Sequence, residues 1–146
     1  MNKYFLTISF FLLSLTTFSQ QRNKQSLKKK ITEQVITFSG NWSYSDKNSE
    51  FNLFLNQKGK SIIGSHCSIM RNGNRIDCAE DSTDSITITG SIVNPNTATV
   101  EFRSTFSDKI GKAKITRSSR TKIKWEIIKE PNGEYYIPKM RILSKQ

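Results

Sequence analysis

From Gly40 to the C-terminus, apolar and polar residues alternate in short runs. Phe51, Leu53 and Leu55 alternate with Asn52, Phe54 and Asn56. Ile86 and Ile88 alternate with threonines, and Ala98, Val100 and Phe102 alternate with Thr97, Thr99, Glu101 and Arg103. Ile123, Trp125 and Ile127 alternate with Lys122, Lys124 and Glu126. A period of two marks strands with one buried face and one wet face. Turn signals separate the runs: Lys58-Gly59, Asn72-Gly73, Asn94-Pro95-Asn96, Asp108 to Gly111, and Pro131-Asn132-Gly133. The spacing predicts an all-β domain over 39–146 with eight or nine short strands. Its expected form is a single antiparallel up-and-down barrel or a barrel-like sandwich. Phe51, Leu53, Phe102 and Trp125 are the large residues expected to fill its interior.

The pattern before Gly40 is different. Residues 20–38 are polar and basic, with Arg22, Lys24, Lys28, Lys29 and Lys30. Leu27, Ile31 and Val35 recur every four residues, which is compatible with a short helix lying on the domain. The charge density reads instead as a solvated tether. Residues 1–19 have the layout of a secretory signal peptide. Lys3 precedes an apolar run from Phe5 to Leu15, and Thr17-Phe18-Ser19 offers small residues for cleavage. That run is too short to span a bilayer, and no later stretch is long enough. The expected location is therefore secreted or periplasmic.

Export changes the meaning of Cys67 and Cys78, the two cysteines of the chain. In an oxidising compartment they read as one disulfide. A two-residue turn at Asn72-Gly73 places Ile69 opposite Ile76 and Cys67 opposite Cys78. In this register the cysteines form a hydrogen-bonded pair, with a Cα separation of roughly 5.5 Å. The apolar pairs share the face of the bridge, so the bridge is expected to point inward. His66, Ser68 and Asp77 then fall on the outer face. A redox-active pair is disfavoured because the spacing is not C-x-x-C.

Gly40-Asn41-Trp42 opens the first strand after a short lead-in, and Arg141 stands in the last strand region, Tyr135 to Leu143. These residues resemble the calycin group, the lipocalin- and avidin-type barrels. Those begin with G-x-W, and in lipocalins an arginine of the last strand packs over that tryptophan. The resemblance implies a small closed barrel with Arg141 over Trp42. It implies no ligand. A core tryptophan in any β-domain is the competing reading of Trp42.

Composition adds charge. The chain has 146 residues, with 23 Lys and Arg against 12 Asp and Glu, a formal charge of +11. Such an excess favours anionic partners: phosphate-bearing lipopolysaccharide, acidic polysaccharide, nucleic acid or an acidic protein surface. The densest basic stretch runs from Arg103 to Lys124. Lys112, Lys114, Arg117, Arg120, Lys122 and Lys124 are the candidate binding residues. A three-residue turn at Ser118 to Arg120 places Lys114 opposite Lys124 and Lys112 opposite Glu126. Like charges facing across strands repel by a few tenths of a kcal/mol, and an anionic partner would offset that. The plain alternative is a solvated face that guards against aggregation.

Catalytic chemistry is poorly represented. His66 is the single histidine. Ser68, His66 and Asp77 can be lined up as a triad, but no nucleophile motif accompanies them. One histidine and a bridged cysteine pair cannot build a zinc site. Asp77, Glu80, Asp81 and Asp84 match no calcium loop and read as a solvated connection. Asn41-Trp42-Ser43 is a glycosylation sequon inside a predicted strand. No metal, cofactor or enzymatic activity is expected. The leading expectation is an exported, non-catalytic binding module for an anionic polymer or acidic protein. The alternatives are a small-molecule carrier using the barrel interior, or an inhibitor of a secreted hydrolase presenting Met70, Arg71 and Arg75 on the disulfide-tied hairpin.

Overall fold

The computed structural model describes residues 37–79 and 85–146. Residues 1–19, expected to be a signal peptide, most of the 20–38 lead-in, and Glu80, Asp81 and Asp84 lie outside the described residues. Nine strands form: β1 (Gly40–Ser45), β2 (Ser49–Lys58), β3 (Ser61–Met70), β4 (Arg75–Cys78), β5 (Ile88–Asn94), β6 (Thr97–Arg103), β7 (Ile110–Arg117), β8 (Lys122–Lys129) and β9 (Met140–Lys145). All pairings are antiparallel, and successive strands are neighbours except β4 and β5, which do not pair with each other. The β1–β9 and β2–β3 pairings close the sheet, giving an eight-strand up-and-down barrel with β4 as an additional strand. β4 and β5 pair with successive parts of β3, along Cys67–Met70 and Ser61–Gly64. Since β2 occupies the other edge of β3, β4 and β5 share one position in the wall.

Closure follows from the alternation. The inward positions are Phe51, Leu53 and Leu55 of β2, Ala98, Val100 and Phe102 of β6, Ala113 and Ile115 of β7, and Ile123 and Trp125 of β8. All are buried. Trp125 is fully buried, with the rings of Phe51 and Phe102 edge-on at 5.6 and 5.4 Å. Gly111 makes room for this arrangement: a Cβ there would lie 2.4 Å from the Phe102 ring. An eight-strand barrel is just wide enough for its side chains to fill it, and these buried aromatics lie in that interior.

Each tryptophan indole fastens a segment across one end. Trp42 Nε1–H donates to the Phe38 carbonyl at 2.9 Å, and Trp125 Nε1–H donates to the Pro138 carbonyl at 3.0 Å. Phe38, which the pattern assigned to the lead-in, is 1% exposed and belongs to the core. Its amide donates to Gln57 Oε1 at 2.8 Å. The arginine-over-tryptophan contact implied by the lipocalin resemblance does not form. Lys145 Nζ lies 5.4 Å from the Trp42 ring, and Arg141 stacks on Tyr44 at 4.9 Å. The cause is register: Lys145 is the β9 residue opposite Trp42, while Arg141 stands opposite Trp125.

The β3–β4 hairpin has the expected register, with Cys67 opposite Cys78 and Ile69 opposite Ile76, and the disulfide forms. Its faces are the reverse of the expectation. His66, Ser68 and Asp77 are buried at 1%, 0% and 0% exposure, whereas Ile76 is 54% exposed. The reason is the pairing with β2. Ser68 stands opposite Phe51 and His66 opposite Leu53. Directly paired residues share a face, so the inward side of β2 draws His66 and Ser68 inward and turns the cysteines out. The cysteine pair also differs in type. The Ala79 amide donates to the His66 carbonyl at 3.2 Å. Cys67 and Cys78 are therefore a non-hydrogen-bonded pair, with Cα atoms 3.9 Å apart rather than the wider spacing expected.

Candidate functional site

Three regions could carry function: the basic wall of β7 and β8, the barrel end closed by Phe38, and the opposite end built around Asp77.

On the wall, Lys112, Lys114, Lys122 and Lys124 stand on the solvent side of inward Ala113, Ile115, Ile123 and Trp125. The cross-strand register differs from expectation by two residues. Lys114 stands opposite Glu126 and Thr116 opposite Lys124. A two-residue slip preserves which face each residue occupies, so alternation cannot detect it. The turn decides it: the Ser118 and Ser119 amides both donate to the Lys122 carbonyl, at 3.1 and 3.3 Å. Lys112 stands opposite Lys129, because a bulge adds a residue to β8 beyond Ile127. The expected facing of Lys114 and Lys124 is thus absent, and Glu126 lies between their amines. Its carboxylate is 2.9 Å from Lys124 Nζ and 3.2 Å from Lys114 Nζ. Lys124 first, then Lys114, hold the Glu126 carboxyl below its usual range. Lys112 pairs with Glu101 at 3.3 Å. The repulsion expected between Lys114 and Lys124 is met within the sheet by Glu126.

The remaining candidates belong to the Phe38 end. Arg120 and Lys122, at the β7–β8 turn, are exposed and form no ion pair among the described residues. Arg117 does not face the solvent with the lysines. As the inward residue after Ile115, it is 9% exposed, and its guanidinium stacks on the Phe38 ring at 4.4 Å. Its Nε and Nη2 have no hydrogen-bond partner, and burial lowers its pKa.

Pattern reading missed Lys58, Lys60 and Lys145. Lys58 and Lys60 flank the β2–β3 turn, and Lys145 ends β9. Since β4 and β5 together occupy one wall position, the β2–β3 and β7–β8 turns emerge at the same end. Counting β4 as a full wall strand would send them to opposite ends. The signal was the Lys-Gly-Lys turn itself. No described acidic side chain lies at this end. Glu101 and Glu126 are on the wall, and Asp46, Glu50, Asp77, Asp108, Glu130 and Glu134 lie on the opposite half.

At the Asp77 end, buried polar groups satisfy one another. Asp77 accepts bonds from Ser104 Oγ at 2.7 Å, the Thr105 amide at 2.7 Å, Thr105 Oγ1 at 2.9 Å and the Tyr136 amide at 3.2 Å. His66 Nε2 lies 3.4 Å from the same carboxylate, and Nδ1 lies 2.7 Å from Thr87 Oγ1. An Nε2–H tautomer satisfies both contacts, because Thr87 Oγ1 already accepts the His66 amide at 3.1 Å. Burial pushes the Asp77 carboxyl upward. The bonds from His66, Ser104 and the Tyr136 amide outweigh it and hold the group well below the usual carboxylate range. Ser68 takes no part in a triad, since its hydroxyl donates to the Tyr136 carbonyl at 2.8 Å. The potential acid–base groups are engaged in tying β3, β4, the Ser104 turn and the Tyr136 segment together.

Beside this cluster lies a cleft of ≈ 490 Å³ whose lining includes Met70, Arg71, Arg75, Tyr136 and Pro138. Arg75 folds back over the Tyr136 ring at 4.8 Å and bonds to its hydroxyl. The hairpin's Arg75 thus contacts its own barrel. Among the described residues, no group of three or more His, Cys, Asp or Glu could hold a metal ion.

Comparison with protein-family models, with curated proteins and with solved structures finds no match to this chain.

Proposed function

We propose that this protein is an exported, non-catalytic β-barrel module that binds an anionic envelope component or an acidic partner protein. The observation that carries the reading is the segregation of charge. Arg120 and Lys122, with Lys58 and Lys60, stand exposed at one barrel end where no described acidic side chain answers them. The wall lysines Lys112, Lys114 and Lys124 are answered by Glu101 and Glu126 and contribute less. Unpaired surface cations concentrated in one place attract anions over a Debye length. The disulfide favours an oxidising compartment, in keeping with secretion or a periplasmic location. The small closed barrel is compatible with a calycin-type relationship. Its filled interior supports surface binding over carriage of a small molecule. The engagement of His66 and Asp77 in bonds to their neighbours supports a non-catalytic role.

Titration against heparin and against lipopolysaccharide at several ionic strengths tests this function. The expected result is binding at low salt that weakens steeply as salt rises. Absence of binding at low salt to either polyanion rejects it.

A further inference from the structure

The cations at the Phe38 end have a geometry that narrows the partner. Around the barrel the wall positions run β1, β2, β3, β4/β5, β6, β7, β8, β9. The β2–β3 turn, with Lys58 and Lys60, and the β7–β8 turn, with Arg120 and Lys122, are four positions apart out of eight. They are therefore on opposite sides of the mouth. An eight-strand barrel with strands about 4.8 Å apart and tilted by about 40° is roughly 15 Å across. One anion cannot touch both turns. Both turns terminate the same end of the barrel, with the Phe38 plug between them. Arg117, nine-tenths buried and stacked on that plug, holds a cation behind the mouth whose Nε and Nη2 find no hydrogen-bond partner among the described residues. The described acidic side chains stand on the wall and the far half, the latter beside exposed Lys47, Arg71, Lys109 and Lys129, so positive charge is least compensated at the Phe38 end. A flat layer of many anions, met end-on, satisfies all four exposed cations at once.

We infer that the Phe38 end docks onto the phosphate headgroup layer of an anionic lipid surface, with Lys58, Lys60, Arg120 and Lys122 as its contacts and the Asp77 end directed away. This rests on the anion-binding reading above and names its partner. The association is peripheral and electrostatic, and each cation near such a surface contributes about fivefold in binding.

The test is co-sedimentation of the protein with vesicles of phosphatidylcholine alone and of phosphatidylcholine with a third phosphatidylglycerol. Heparin binding is measured in parallel. The variant K58Q/K60Q/R120Q/K122Q is compared with K47Q/R71Q/K109Q/K129Q, which removes the same charge from exposed positions at the opposite end. Circular dichroism checks that both variants fold. The expected result is binding to the anionic vesicles alone, lost at high salt, reduced more than tenfold in the first variant and less than threefold in the second. Equal losses in the two variants, or no loss in the first, overturn the end-on surface. Heparin binding without vesicle binding overturns the lipid partner and leaves the anion-binding function standing. Absence of both rejects the function as well.

Discussion

Asp77 shows how one side chain organises an end of the barrel. It is fully buried and gathers donors from Ser104, Thr105, Tyr136 and His66. A carboxylate so supplied is stable because donors replace the lost water. Asp77→Asn turns an amide NH2 toward donors that need an acceptor, and about 3 kcal/mol of stability is expected to be lost. Urea unfolding of the two proteins at neutral pH measures it. The pH dependence has a definite sign. The folded carboxyl titrates below its unfolded value of about 3.9. Its stabilisation is therefore complete above that value and lost as pH falls toward the folded pKa. The urea midpoint should drop below about pH 4 in the parent protein, and by less in Asp77→Asn. An equal acid loss in both would show that other groups govern acid unfolding.

At the scale of elements, the two hairpins err in opposite ways. In β3–β4 the turn Asn72-Gly73 set the register correctly, yet the faces reversed, because β2 and not the hairpin's own apolar residues chose the inward side. In β7–β8 the faces were right and the register was off by two, because a two-residue slip leaves alternation intact. The outward bridge has a consequence. Cys67 and Cys78 are only partly buried, on the solvent side of the hairpin. A thiol reductant should cleave the bridge in the folded protein without denaturant, as read by thiol labelling and mass. Closing so short a loop contributes about 3 kcal/mol or less, so the reduced protein should stay folded with a lower urea midpoint. Labelling that requires denaturant would place the bridge inside.

For the whole molecule, charge and shape become one property. The same charge of +11 spread evenly would give weak, unoriented attraction. The meander instead leaves the exposed cations at the mouth without described carboxylates, while carboxylates answer the wall lysines and share the far half with its cations. A ligand that binds only the folded protein must stabilise it, by about 2.7 kcal/mol at a hundredfold excess over Kd. Heparin at low salt should therefore raise Tm by several degrees, and the rise should vanish at high salt. K58Q/K60Q/R120Q/K122Q should show little of it. An unchanged rise in that variant would move the contact to other cations.

The amino-acid sequence by itself determined the class of fold. Period-two alternation, closely spaced turn signals and two cysteines equidistant from Asn72-Gly73 are local features, and local sterics and solvation suffice to produce strands, turns and a bridged hairpin from them. It also determined which large residues fill the barrel, since Phe51, Leu53, Phe102 and Trp125 have no other face to take. Tertiary structure alone decided which side of β3 faces inward, that β4 and β5 share a wall position, and that Phe38 closes one mouth over Arg117. Each depends on a partner distant in sequence. An inward His66 requires Leu53 opposite it and Thr87 and Asp77 beside it, and Lys58 and Lys122 reach the same end, on opposite sides of its mouth, only when the whole meander closes.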